Sequence, residues 1–284
     1  MARERSAREF DGSDLVLSYF SLDRRHPMED RIAAAGAAGF SGIGLYIGEY
    51  QRLQAEGLAD GWLDEILAEH DQCIAEIEVV RGWAQHGTAY DECLAMEAAA
   101  WEMADRWGCR YLQAIGPYDG TITDAGNAYG ALCDRAADHG LVVGLEFLPF
   151  TNIVSAADAL RMVEQADRPN AGVCVDIWHH ARGANDLAMI RAIGAERVTG
   201  VQMNDGTRLP ANPDYLQDCL RNRVPPGDGE FDAAEFVREL ISMGVGVPWA
   251  LEVCQDDVWG QPATPHVTQC AEGMRSVLAT AREN

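Results

Sequence analysis

Eight short apolar or alternating runs recur along the chain, each followed by a stretch of helical periodicity, and this alternation constrains the fold more than any other feature. The runs are Leu15–Phe20, Gly42–Ile47, Cys73–Val80, Tyr111–Ile115, Leu141–Leu148, Gly172–Ile177, Val198–Met203 and Trp249–Val253. Helical spacing is read over Asp30–Ala38, Asp60–Glu69, Tyr90–Trp107, Ala125–His139, Ala156–Gln165, Ala233–Ser242 and His266–Arg282. Strands separated by helices pair in parallel, because a parallel pair needs a crossover connection. Gly39, Gly108, Gly140 and Gly244 each follow a helical segment, where a left-handed residue ends a helix. Asp232 followed by Glu235 has the spacing of an N-terminal capping pair. Eight units of about 30 residues suit a closed barrel better than an open doubly wound sheet. The expected fold class is therefore α/β, a (β/α)8 TIM barrel, with residues 1–284 as one domain. The longest irregular stretch, Asn204–Gly229, falls after the seventh strand, at the end of a barrel where loops carry function.

The 284 residues are 48% hydrophobic, enough for a large core, and carry a formal net charge of −23. A surface so acidic repels phosphate backbones and anionic headgroups, which argues against nucleic acid and membrane as partners. The amino-terminal MARERSAREFDGSD lacks the apolar stretch of a secretory signal, and no run approaches a membrane span, so a cytoplasmic location is expected. The eight cysteines are scattered without a C-x-x-C pair and read as reduced, mostly buried thiols.

In the second half of the chain, each apolar run is interrupted near its end by an acid or an amide. VVGLEFLP gives Glu146, AGVCVDIWHH gives Asp176, VTGVQMND gives Gln202 and WALEVCQD gives Glu252. A lone carboxylate costs several kcal/mol to bury as an ion, so each needs a partner, and one shared cation would serve them all. Residues two apart along a strand share a face. Gly144, Cys174, Gly200 and Ala250 accompany the four polar residues and are small, as a crowded barrel interior requires, while Val143, Leu145, Val173, Val175, Val201 and Leu251 face the helices.

At these residues the sequence resembles the xylose-isomerase-like barrels known as sugar phosphate isomerases/epimerases, which include ketose 3-epimerases, inosose dehydratases and dehydroshikimate dehydratases. The resemblance runs from GFSGIGLY and IAEIEVVRGW through LEFLPF, VDIWHH and VQMNDG to RVPPGDGEFD and ALEV. It implies that Glu146, Asp176, Gln202 and Glu252 bind one divalent metal. It also implies that His179 sits beside the metal and hydrogen-bonds substrate, and that Arg223 reaches a substrate oxygen. Gln202 departs from the His of many epimerases and looks more like the dehydroshikimate dehydratase branch.

Three carboxylates and an amide oxygen make a hard site that favours Mn2+ or Mg2+ over Zn2+, with Co2+ able to substitute. An α-hydroxyketone can chelate such an ion, which stabilises the enediolate formed when a base removes the neighbouring proton. The expected function is a metal-dependent isomerase or epimerase of a non-phosphorylated ketose or keto-polyol. The alternative is a dehydratase of an inosose- or dehydroshikimate-like substrate at the same site. Glu146 and Glu252 are the expected proton-transfer pair, with His179 polarising or protonating the departing or bridging oxygen. A phosphate is not expected on the substrate, because Asp228, Glu230 and Asp232 crowd the loop where it would dock, with Arg208 and Arg223 as partial offset. Trp83 and Trp178, with Tyr46 and Phe147, are candidates to wall the pocket. His180 is read as structural, His86 as an exposed loop residue, and Glu78 either as a strand-three acid of the family or as a surface or helix pair. A homo-oligomer is allowed. An apurinic endonuclease would need further histidines on strands two, three and seven, which this chain lacks.

Overall fold

The computed structural model describes residues 8–58, 61–258 and 260–283. Asp60, where one helical segment was expected to begin, and the first seven residues of the amino-terminal stretch lie outside these. Eight parallel strands close into a barrel in sequence order: β1 (Leu15–Leu17), β2 (Gly42–Tyr46), β3 (Ile74–Val80), β4 (Tyr111–Ile115), β5 (Val142–Glu146), β6 (Ala171–Asp176), β7 (Val198–Met203) and β8 (Trp249–Leu251). β1 pairs with both β2 and β8, so no sheet edge is left open. The fold is the (β/α)8 TIM barrel the sequence predicts. All eight cysteines are free thiols and seven are buried. Among the described residues no helix is long and apolar enough to cross a membrane.

Several boundaries differ from expectation for local reasons. β1 stops at Leu17, because the Ser18 side chain caps a 3-10 turn over Tyr19–Ser21. β6 stops at Asp176, whose carboxylate accepts from Trp178 N and starts a helix over Ile177–Arg182. The capping boxes of Thr121 with Asp124 and Ser155 with Asp158 fix two helix starts. Asn204–Gly229 is not wholly irregular, since it holds a helix over Tyr215–Arg221 and an Asp205–Val224 bridge. Gly39, Gly108, Gly140 and Gly244 do take positive φ.

The main apolar core lies between sheet and helices and includes Val143, Leu145, Val173, Val175, Val201 and Leu251. A smaller cluster of Val16, Ala75 and Ala250 packs against Phe10. The small residues of β5 and β7 have a specific neighbour. A Cβ built on Gly144 or Gly200 would lie 2.3 or 2.2 Å from the Tyr111 hydroxyl, so the phenol occupies the space both glycines leave.

Candidate functional site

β5, β6 and the segment just past β8 deliver Glu146, Asp176 and Glu252 to the carboxyl end of the barrel, all buried. Strand register places Glu146 beside Cys174, and Asp176 beside Gln202. His179 follows one helical turn after Asp176 and returns to the same point. Its Nε2 lies 3.3 Å from Glu146 Oε1 and 3.6 Å from Asp176 Oδ2. Ligand atoms of Glu146, Asp176 and His179 all fall within 4.8 Å of one another, a group able to hold a metal ion.

Glu252 and Gln202 join this group indirectly. Arg223 Nη1 donates to Asp176 Oδ2 at 2.7 Å and to Glu252 Oε2 at 2.8 Å, bridging the two carboxylates. Gln202 Nε2 donates to Glu252 Oε1 at 3.2 Å, and its Oε1 faces the Cys174 thiol at 3.6 Å. The rest of the Arg223 guanidinium is engaged by Cys219, Nε with its carbonyl at 3.0 Å and Nη2 with its sulfur at 3.1 Å. Arg223 is thus a buried cation that holds carboxylates together, whereas the resemblance implied a group reaching substrate.

The donor set suits a divalent ion. Three carboxylates, an imidazole and an amide converge, and two further amide oxygens here, Gln113 Oε1 and Asn204 Oδ1, are buried without a hydrogen-bond partner among the described residues. Electrostatics points the same way. Burial, only partly offset by Arg223, pushes the Glu252 carboxyl up to about 7. Burial alone would lower the His179 pKa, yet Cys219, Asp176 and Glu146 beside it raise it well above the usual range. Without a bound cation, protons must neutralise part of this acidic cluster.

Sequence reasoning passed over several residues. Gln113 on β4 donates to Glu146 Oε2 at 2.8 Å, and Asn204 donates to Asp176 Oδ1 at 2.9 Å. Both are polar interruptions of the same inward face, so the spacing that revealed Glu146 would have found them. Asp205 accepts from Gly206, Gly227 and Phe231 backbone amides and ties down the loop after β7. Gly229 must be glycine there, since a Cβ would sit 2.3 Å from Asp205 Oδ1. Tyr215, on a helix too short to read by periodicity, bonds His179 Nδ1 at 2.9 Å.

Other expected positions fall elsewhere. Trp83 and Trp178 are buried in packing. Trp83 donates to Ile115 O and lies against Tyr129, while Trp178 sits between Phe231 and the Arg182 guanidinium. Phe147 is buried, and Tyr46 packs on Tyr19 and Phe20. The aromatic ring exposed near His179 is Phe150, 44% accessible and 6.3 Å away. Glu78 is neither a surface nor a helix pair: it is buried, accepting from Ser18 Oγ and Tyr19 N. His180 packs on Phe236, and His86 is exposed. Glu230 accepts from Arg208 N, Asp232 caps a helix and Asp228 accepts from Gln269, so these acids serve the loop's own surroundings.

A model of the xylose isomerase-like TIM barrel family matches residues 32–279. The chain belongs to that family. Over 148 residues, 52% of its length, it is 33% identical to the 3-dehydroshikimate dehydratase of Pseudomonas putida, a match that covers 22% of that protein. The chain therefore spans about a fifth of the length of this curated relative. Among solved structures, a xylose isomerase-like TIM barrel/4-hydroxyphenylpyruvate dioxygenase fusion protein is 22% identical with a TM-score of 0.78, covering 95% of this chain and 43% of that one. The IOLI protein with a bound zinc atom is 17% identical with a TM-score of 0.82, covering 94% of this chain and 99% of that one. At these identities the two structures show the family's fold alone.

Proposed function

We propose that the chain is a divalent-metal-dependent dehydratase of a small, non-phosphorylated cyclic hydroxyketone, such as a dehydroshikimate-like or inosose-like compound. The observation that carries this reading is the asymmetry of the site: Glu146 lies beside His179, while Glu252 is clamped by Arg223. Epimerisation needs free proton-transfer groups on two faces of the substrate carbon. Elimination needs one base and one group to protonate the departing hydroxyl, which a single side of the site can supply. The 33% identity to a Pseudomonas dehydratase supports the same order. It reverses the preference for an isomerase or epimerase drawn from the sequence.

Glu146, Asp176, Gln202 and Glu252 would hold the ion, Mn2+ or Mg2+ before Co2+ given the oxygen donors. When bound, the ion polarises the ketone and stabilises negative charge on its oxygen. A carboxylate of the cluster takes the proton from the carbon next to the carbonyl, and the electron pair moves onto that oxygen. The pair then returns to form the alkene as the β-hydroxyl leaves. His179 delivers a proton to that hydroxyl, so water departs and no redox partner is needed. Isomerisation or epimerisation of a ketose is the second reading, favoured by the presence of Glu252 as a second buried glutamate at the same end of the barrel.

The test is proton NMR in D2O of the Mn2+-activated protein, with product analysis after ion removal, on a panel of cyclic hydroxyketones and ketoses. New alkene or aromatic signals are expected. Deuterium incorporation without them would turn the assignment to isomerase or epimerase, and no change on any substrate would contradict both.

A further inference from the structure

We propose that the amino end of the barrel holds a second binding site, for a primary ammonium ion carried on a small apolar body, with the Glu76 carboxylate as its partner. The inference does not depend on the reaction assigned to the metal cluster at the other end.

The site begins with an irregularity in β3. Ile74 opposes Ile43 and Glu76 opposes Gly44, so Ala75 is an extra residue without a partner on β2. A bulge of this kind re-aims the side chains next to it. Ala75 and Glu76, consecutive in sequence, both border one cavity of about 830 Å3. Its walls are largely apolar, from Phe10, Tyr111, Val142, Val198, Val247 and Pro248. The Tyr111 phenol, packed where Gly144 and Gly200 leave room, forms the inner wall, two residues short of Glu146 and Gln202 on the same strands. Such a volume admits a small organic molecule, and apolar walls with few polar groups are the usual make-up of a site for one.

Charge decides the class of ligand. Glu76 is 5% exposed and has no hydrogen bond or ion pair among the described residues. A carboxylate buried without a partner is costly, and a fold that keeps one is open to a cation from outside. Glu9 and Glu196, which also line the cavity, likewise have no ion pair among the described residues, whereas Arg8 pairs with Asp14 at 3.5 Å and Arg110 donates to the His139 carbonyl at 3.4 Å. The cations of the rim are thus turned to acceptors of their own chain, and the acids are not. The formal net charge of −23 adds a field that draws cations and repels anions. A divalent metal would find one buried ligand where it needs several. An ammonium group, with three donors and a single charge, matches a single carboxylate.

The experiment is a calorimetric titration of the full-length, Mg2+-loaded protein at about pH 8.5. There an alkylamine is protonated, and Glu76, its carboxyl pushed up to about 8 by burial, is mostly ionised. The probes are 2-phenylethylammonium, its neutral isostere 2-phenylethanol and the anion 3-phenylpropionate. The ammonium should bind at about one per chain with a Kd of about 1 mM or tighter, and the alcohol and the anion about ten-fold more weakly or not at all. Glu76→Gln keeps the shape and removes the charge, so it should weaken the ammonium by about ten-fold or more and leave the alcohol within about two-fold. Val247→Trp, which fills the cavity from its half-buried rim, should weaken the ammonium as much, and it keeps the test decisive if Glu76→Gln fails to fold. No saturable binding of the ammonium, equal affinity for the alcohol, or unchanged ammonium affinity in either folded variant would overturn the proposal. Turnover plays no part in the readout, so failure of the dehydratase reading is seen separately.

Discussion

Five carboxyl groups, those of Glu76, Glu78, Glu146, Asp176 and Glu252, are buried within the barrel, and Arg223 and His179 are their close ionic partners at the carboxyl end. Glu76 lines a cavity at the amino end with Phe10, Arg110 and Tyr111. Burial, with Glu252 as a second cause, pushes its carboxyl up to about 8 from an ordinary 4.5. A raised carboxyl pKa means that the folded chain holds a proton the unfolded chain has released. Its contribution is full below about 4.5 and is lost as pH rises to about 8. Chelator-treated protein should therefore lose stability toward urea across that window, and Glu76→Gln should make the loss shallower. An equal slope in both proteins would mean that Glu76 titrates normally. Glu76 and Glu78 were legible as acids within an apolar run. Their inward direction follows from the same two-residue spacing that places Glu146 inside, whereas the run over residues 73–80 lacks the small companion residues that mark the inner face of β5 and β7.

Elements were legible in proportion to their length. The strands and the longer helices carry enough turns for a period to show, and all eight strands fall within a few residues of expectation. The helices over Ile47–Ala55, Ile177–Arg182, Leu187–Ile193 and Tyr215–Arg221 have six to nine residues each and pass unread. Two of them begin directly at the end of a strand, where an apolar residue reads as more strand. Two of them also carry site residues: His179, which the Asp-x-x-His spacing marked, and Tyr215, which no motif or period marked. Glycine spacing along β5 and β7 marks small residues facing inward, but nothing in that spacing names Tyr111 as the ring they accommodate. Gly144→Ala and Gly200→Ala should each destabilise the barrel by about 1–3 kcal/mol through overpacking against the Tyr111 ring. Since both methyl groups displace the same phenol, the double variant should cost less than the sum, measured by urea denaturation. Strict additivity would show that the two glycines do not share a neighbour.

For the whole molecule, closure of the barrel is what turns scattered polar interruptions into a cluster. Residues at 113, 146, 176, 202 and 252 are distant in sequence, and the register of successive parallel strands brings them to one end. That much was legible, because a period of two fixes direction and a strand terminus fixes height. Side-chain pairing was not, since a guanidinium arriving from the loop after β7 inserts between Asp176 and Glu252, and no periodic signal reports it. The most direct measurement is metal content by elemental analysis, after dialysis against Mn2+ and removal of free ion, on the wild type, Glu146→Gln and Asp176→Asn. About one ion per chain is expected in the wild type, with most of it lost in each variant while the folded circular dichroism spectrum is kept. A wild type that retains no ion, or two variants that each keep a full equivalent, would contradict a metal centre built on Glu146 and Asp176.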